Sequence, residues 1–132
     1  MGKKRVVLDT NIIISGLGFK GVSRVLINKV ITHYEWIISE KQLLEIKRVL
    51  KYPKFDFEEE LISKILLFVS ENTTTINANV ELKVVKEDPD DDFLLELALD
   101  GRANIIISGN KHLLKLKEYK HIKIIDSKTF LS

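Results

Sequence analysis

The chain has 132 residues, of which 45% are hydrophobic and 30% charged, and this balance predicts one folded domain over residues 1–132 rather than a disordered chain. It has no cysteine, which excludes disulfide scaffolds, thiol catalysis and cysteine-based metal sites. It also lacks an apolar run approaching the roughly 20 residues of a membrane span, so we expect a cytoplasmic protein without membrane contact. The net charge is only +2, so attraction to nucleic acid has to come from local patches.

The first half of the chain alternates short β-branched runs with longer amphipathic segments. Strands are predicted at Arg5–Leu8 and at 35–39, and helices over 22–31, Glu40–Leu50 and 57–69. Ser39 is the predicted N-cap of the second helix, and Pro53 prevents that helix from continuing.

The second half continues the alternation. Strand-like segments at 73–76 and 82–85 flank a turn over 77–79, and a strongly apolar helix follows over 93–99. We expect Gly101 to close that helix in a left-handed conformation. The remaining elements are predicted as a buried strand over 103–108, a short helix over 111–116, a strand at Ile122–Ile125 and a terminal turn capped by Asp126 or Ser127.

These strands are apolar without alternation and are separated by helices. That pattern is typical of a parallel sheet covered on both faces, so the predicted fold class is layered α/β.

Acidic and amide side chains fall where the carboxyl ends of the strands are predicted. Asp9 ends the first strand, Glu45 lies in the helix after the second, residues 90–92 precede the helix before the fourth, and Asn110 follows that strand. Ligands of open parallel sheets bind at this edge. Carboxylates gathered there repel one another unless a hard cation, Mg²⁺ or Mn²⁺, neutralises them, and two such ions can hydrolyse a phosphodiester.

Two of these acids have structural alternatives. Asp9 can be a helix N-cap, although Thr10 or Asn11 can also take that place. Glu45 can be a solvated mid-helix residue, but its neighbours are apolar and the exposed stripe runs through other positions, including Arg48.

The remaining candidates follow from helical spacing. One acid of residues 90–92 is expected to cap the next helix, where it favours the helix dipole. Asp91 lines up with the buried stripe of that helix and is the first choice as a site residue, with Asp92 second. Asn110 is expected to be a cap or turn residue that also touches a metal-bound water.

Four segments in this order and spacing resemble a PIN domain, most closely the prokaryotic toxin-like branch related to VapC. The resemblance runs over 6–130 and rests on LDTN at 8–11, QLLEI at 42–46, DPDDDFLLELA at 88–98 and ANIIISGNKHLL at 103–114.

The resemblance implies a three-layer α/β/α sandwich around a mostly parallel sheet and a metal-dependent endoribonuclease activity. It places the catalytic acids, which are also metal ligands, at Asp9, Glu45 and Asp91, with Asp92 and Asn110 as further metal ligands. The hydrogen-bonding supports around Asp9 would be Thr10, Asn11 and Ser108. The family often carries a fourth acid where this chain has Asn110, whose amide contributes no charge.

The same resemblance implies RNA as substrate, an antitoxin protein as partner, and a homodimer built on the apolar helices over 43–50 and 61–69. Lys111 and Lys115 share a helix face beside the predicted site, and Arg48 lies on the opposite bank. They are the candidate RNA contacts, although a basic run is also typical of a solvated face. If they follow a phosphate backbone, binding falls steeply with salt.

Two other function classes compete with the nuclease. A non-catalytic RNA-binding or interaction module on the same scaffold is suggested by Asn110. A phosphoacceptor signalling domain has similar size and layering, but it needs an acceptor Asp after the middle strand, and residues 75–77 supply none, so it ranks last.

Overall fold

The computed structural model describes residues 2–77 and 92–132, apart from the side chain of Asp92. Within these ranges the strands are β1 Arg5–Leu8, β2 Glu35–Ile38, β3 Thr74–Thr75, β4 Ile105–Ile107, β5 Glu118–Tyr119 and β6 Ile122–Ile125. The helices are α1 Thr10–Gly18, α2 Val22–His33, α3 Glu40–Leu50, α4 Glu59–Asn72, α5 Asp92–Asp100, α6 Lys111–Leu114 and α7 Ser127–Leu131. No helix in these ranges has the length and apolarity needed to cross a membrane.

The strands form one sheet in the order β3-β2-β1-β4-β6-β5. All neighbouring pairs are parallel except β5 with β6, which is antiparallel at the edge. The sheet is therefore mostly parallel, as predicted, and β1 lies at its centre with β2 on one side and β4 on the other.

Helices cover both faces of this sheet because each central strand buries side chains in both directions. Val6 and Leu8 of β1 pack into a core shared with α1, α2, α3, α4 and α7. Val7, between them, packs into a second core built with α5 and α6. The predicted three-layer α/β/α arrangement is confirmed.

Most predicted elements are present, with shifted ends. Ser39 caps α3 by accepting a hydrogen bond from the Gln42 N–H, and Asp126 caps α7. The strand predicted over 103–108 shortens to β4, and the helix predicted over 57–69 begins at Glu59 and runs to Asn72. Helix α1 and strand β5 were not predicted. The strand over 82–85 and most of the turn over 77–79 lie outside the described residues.

The prediction for Gly101 was wrong, because the left-handed residue after α5 is Arg102, with φ 54°. The N–H of Arg102 bonds to the carbonyl of Leu99, and the N–H of Ala103 bonds to that of Ala98. This is a Schellman closure displaced by one residue. Gly101 is instead required by packing, since a Cβ there would clash with Cδ1 of Ile37.

Candidate functional site

A cavity of about 260 Å³ lies beyond the end of β1, at the carboxyl edge of the sheet. Its described lining comes from α1, α3, the segment after α3, α5 and the start of α6, and comprises Asp9, Thr10, Asn11, Glu45, Val49, Tyr52, Lys54, Phe93, Leu94 and Asn110. The structure thus brings Asp9, Glu45 and Asn110 to one place, although they come from three different parts of the chain.

Two hydrogen bonds hold the carboxylate of Asp9 in place at the carboxyl edge of the sheet. Asp9 is the N-cap of α1, and its Oδ1 accepts a 3.0 Å hydrogen bond from the backbone N–H of Asn11. Its Oδ2 accepts a 2.6 Å bond from the Ser108 hydroxyl, so both oxygens have a partner. Asp9 as a whole residue is only 9% exposed. The alternative that Thr10 or Asn11 caps α1 was wrong, and capping and facing the cavity are compatible roles for Asp9.

Glu45 faces the same cavity from α3. Its Oε1 accepts a hydrogen bond from the Thr10 hydroxyl, and its Oε2 lies 3.8 Å from a guanidinium nitrogen of Arg48. The Glu45 side chain is 23% exposed, so the alternative of a fully solvated mid-helix residue does not describe it. Thr10 therefore contacts Glu45 rather than Asp9, as a support for the second acid.

Gln42 is a site residue that the sequence analysis missed. It is fully buried, and its Nε2 donates to the Leu8 carbonyl at 2.6 Å and to the Thr10 hydroxyl oxygen at 3.4 Å. Gln42 thereby fixes the hydroxyl that donates to Glu45. The available signal was spacing: Gln42, Ile46 and Val49 share the inward face of α3, and a polar residue on such a face needs hydrogen-bond partners.

Asn110 is the N-cap of α6, which confirms the prediction that it is a cap residue. Its Oδ1 accepts from the backbone N–H groups of His112 and Leu113, at 2.8 and 3.3 Å. Its own N–H donates to the Ser108 hydroxyl oxygen at 3.0 Å. Direct ligation of a metal ion by the Asn110 side chain would use the same oxygen that caps α6.

The third predicted acid, Asp91, lies outside the described residues, and so does the side chain of Asp92. Over 2–77 and 93–132, no group of three or more His, Asp or Glu side chains is placed to hold a metal ion. The described part of the site supplies two carboxylates, Asp9 and Glu45.

The donors of this cavity nevertheless suit a hard divalent cation. Carboxylate and amide oxygens are the ligands that Mg²⁺ and Mn²⁺ prefer. No described Lys, Arg or His forms an ion pair with Asp9, so this nearly buried carboxylate is not neutralised within the described chain. The residues present therefore fit such an ion, with Asp9 and Glu45 as its carboxylate ligands.

The predicted RNA contacts are all exposed. Lys111 begins α6 directly after Asn110, and Lys115 follows that helix as its C-cap. Arg48 lies on α3 one turn beyond Glu45. Two further polar lining residues, Tyr52 and Lys54, were missed. The signal for Tyr52 was that positions 45, 49 and 52 continue one helical face.

Comparisons with known proteins agree with this fold. A family model described as PIN domain matches residues 5–112. Uncharacterized protein MJ1680 of Methanocaldococcus jannaschii is 34% identical over 131 residues, covering 92% of this chain and 81% of that protein. A chain in the crystal structure of VapBC2 from Rickettsia felis, bound to a DNA fragment from their promoter, matches with a TM-score of 0.62 at 18% identity. That match covers 92% of this chain and 98% of the other, and it concerns the fold.

Proposed function

Because the chain belongs to the PIN-domain family, we propose that it is a divalent-metal-dependent endoribonuclease that hydrolyses RNA phosphodiester bonds. One observation carries the proposal: the carboxylates of Asp9 and Glu45, distant in sequence, line one cavity at the carboxyl edge of a parallel sheet. Ligands of such sheets bind at this edge. The proposed enzyme is one domain over residues 1–132 that acts in the cytoplasm.

In the proposed site, Asp9, Glu45 and Asp91 would hold Mg²⁺ or Mn²⁺, with Asp92 and Asn110 as further ligands. When bound, the ion supplies Lewis-acid polarisation of the phosphodiester. The chain's own residues keep the ligands in place. Ser108 and the Asn11 N–H fix the two oxygens of Asp9.

The second acid has its own supports. The Thr10 hydroxyl fixes one oxygen of Glu45, and Gln42 fixes Thr10. Such outer contacts orient ligating carboxylates and typically change metal affinity or activity by about 10–100-fold when removed. The hydrogen-bond pattern therefore supports a preorganised pair of acids.

The proposal extends to partners. RNA would contact Lys111, Lys115 and Arg48. Two copies would pair through the helices over 43–50 and 61–69, and more than half of the surface of Leu44 and of Leu67 is exposed there. The matched structure is of VapBC2, and this supports the proposal that the chain is the toxin of a toxin–antitoxin pair.

A non-catalytic RNA-binding module on the same scaffold is the second candidate. It is favoured by Asn110, which stands where the family often has an acid and whose Oδ1 already accepts two backbone N–H groups. Such a module binds RNA without metal-stimulated cleavage.

Cleavage of a labelled single-stranded RNA by purified protein separates the two candidates. We expect cleavage that requires Mg²⁺ or Mn²⁺, stops with EDTA, and falls about 100-fold or more in Asp9→Asn and Glu45→Gln, since losing a ligand exceeds the cost of losing its support. Asn is itself a good N-cap, so Asp9→Asn should stay folded. Glu60→Gln, an exposed acid on α4, is the matched control. Unchanged cleavage in Asp9→Asn would refute the assignment, and RNA binding without metal-stimulated cleavage would favour the module.

A further inference from the structure

The segment between α3 and α4 forms part of the lining of the cavity beyond the end of β1. Tyr52 and Lys54 of this segment line the same cavity as Asp9 and Glu45. Tyr52 is 38% exposed, so its ring is partly open to solvent. An aromatic ring and an ammonium group thus stand beside two carboxylates, and neither has a part in holding those acids.

This segment is fixed in place by local hydrogen bonds and by aromatic packing. The Phe55 N–H bonds to the Tyr52 carbonyl at 3.1 Å, which closes a tight turn around Pro53. The Phe55 ring stacks on Phe57 with centroids 5.2 Å apart, and Phe19 packs against both rings. The turn and the packing of these three rings therefore hold the backbone that carries Tyr52 and Lys54 in place beside the cavity.

The ammonium group of Lys54 forms no ion pair with Asp9 or Glu45. Its Nζ lies 5.1 Å from the centre of the Phe55 ring, and it forms no ion pair with any acid in the described parts of the chain. Among the described lining residues of this cavity, Lys54 is the one with a cationic side chain.

An RNA strand is a polyanion, so its binding beside two carboxylates is helped by a cationic group such as that of Lys54. The carboxylates of Asp9 and Glu45 repel the phosphates of an approaching nucleic acid strand, and a bound cation offsets this repulsion only at the phosphate it touches. Lys54 lies where it can pair with a neighbouring phosphate, and the Tyr52 ring offers a face on which a base can stack.

We propose that Tyr52 and Lys54 form a substrate-binding wall that holds single-stranded RNA across the acid cavity, Lys54 through a backbone phosphate and Tyr52 by stacking on an unpaired base. This assignment rests on the proposed function, since it names residues that position the same substrate. It adds RNA contacts within the lining of the cavity, to which Lys111 and Lys115 do not belong.

The test is binding of a fluorescein-labelled 12-nucleotide single-stranded RNA, followed by anisotropy in the Asp9→Asn background, which prevents turnover. Lys54→Ala should weaken binding about 10-fold and reduce the slope of log K against log salt by about 0.7, the value for one phosphate contact with a single strand. Tyr52→Ala should weaken binding about 5-fold or more, since base stacking on an aromatic ring is worth roughly that factor at the least. Lys54→Arg and Tyr52→Phe should retain binding.

The matched control is Lys51→Ala, which removes an exposed lysine of the same segment that does not line the cavity. Lys51→Ala should change RNA affinity less than 2-fold. A loss of affinity equal to that of Lys54→Ala would show that the lysines attract RNA only by their general charge, which would refute the specific contact of Lys54. Thermal unfolding of each variant checks that the fold is kept.

In the cleavage-competent protein, Lys54→Ala should raise KM about 10-fold and leave kcat within 2-fold. The two proposals fail in different ways. Metal-dependent cleavage with unchanged KM in Lys54→Ala and Tyr52→Ala would refute the proposed RNA contacts of these residues and would agree with the proposed nuclease activity. Weakened RNA binding in both variants, with no cleavage by the wild type, would support the proposed RNA contacts and refute the nuclease activity. If the wild type binds no RNA at all, the proposed RNA contacts are refuted.

Discussion

Ser108 donates a 2.6 Å hydrogen bond from its hydroxyl to Oδ2 of Asp9, and so joins the end of β4 to the end of β1. The same hydroxyl oxygen accepts the N–H of Asn110 at 3.0 Å. Ser108 is fully buried, so water cannot replace either bond. One small side chain therefore sets the position of the first acid relative to the start of α6.

Replacing Ser108 with alanine should destabilise the fold. Ser108→Ala removes the donor to one oxygen of Asp9 and the acceptor of the Asn110 backbone N–H, and each lost hydrogen bond costs about 1–3 kcal/mol. Urea unfolding should show a lower midpoint with an unchanged slope. Ser70→Ala, at an exposed position of α4, is the control and should lie within about 0.5 kcal/mol of wild type. Equal stability of the two variants would contradict the contact.

The Thr10 hydroxyl should matter through its bond to Glu45, not through its size. Thr10→Val keeps the shape and removes the donor, so we expect RNA cleavage to fall about 10–100-fold. Thr10→Ser restores the hydroxyl and should recover most of the activity. Single-turnover rates with saturating RNA measure the effect at the chemical step. Equal rates for the valine and serine variants would show that Thr10 has only a packing role.

A pH dependence is expected at the opposite edge of the sheet, where Arg5 donates a 2.9 Å hydrogen bond to Glu35. This bond, together with one from the Thr74 hydroxyl, lowers the pKa of Glu35 from its ordinary 4.5. Since the folded-state pKa is the lower one, the contribution is present above pH 4.5 and is lost as the pH falls through the folded value.

The measurement is the difference in unfolding free energy between wild type and Glu35→Gln. It should be about 0.2–1 kcal/mol at pH 7, because the pair is partly solvated, and it should shrink towards zero in acid. Glu60→Gln is the control, since Glu60 pairs with Lys64 while 77% exposed. A Glu35 difference that grows on acidification would refute the sign.

Gly101 and Arg102 should respond oppositely to substitution. Gly101→Ala places a Cβ in a clash with Cδ1 of Ile37 and 3.0 Å from the Leu97 carbonyl oxygen, so we expect a loss of about 1–3 kcal/mol from overpacking. Arg102→Gly relieves a left-handed backbone at φ 54° and should leave stability unchanged or raise it by up to about 1 kcal/mol. Thermal unfolding of both variants checks this, and a destabilised Arg102→Gly would contradict the closure described.

The fold was predictable because its central strands carry an unambiguous pattern. Val6, Val7 and Leu8 are all buried, as expected for a strand covered on both faces. Helix α1 was missed because it begins directly at the end of β1, where Asp9 serves as both strand end and N-cap. Strand β5 has two residues and is defined only by its pairing with β6. It is too short to show a sequence periodicity from which it could be predicted.

The site was predictable where a residue's position along a strand or helix determines its direction. Asp9 and Asn110 follow strands, and their meeting at one edge comes from the parallel topology. Gln42 and Lys54 were not predictable in this way. The hydrogen bonds of Gln42 depend on a carbonyl and a hydroxyl from distant segments, and the position of Lys54 depends on where three phenylalanine rings place the turn.

Adding a carboxylate at position 110 should strengthen metal binding and make the fold depend more on the bound ion. Asn110→Asp keeps the oxygen that caps α6, and an acidic N-cap favours the helix dipole. Its charge is added beside Asp9 and Glu45, so without metal the repulsion should lower stability by about 1 kcal/mol or more, and Mn²⁺ should restore it. The added charge enters a cavity that already holds Asp9 and Glu45, which raises the attraction for a divalent cation. Calorimetric titration with Mn²⁺ should therefore show affinity about 10-fold tighter than wild type, and metal-dependent cleavage should rise with it. Asn104→Asp, at an exposed position before β4, controls for net charge and should leave Mn²⁺ affinity unchanged. If Asn110→Asp binds Mn²⁺ no better than wild type does, position 110 is not among the residues that hold the ion, and Asn110 acts as a helix cap alone.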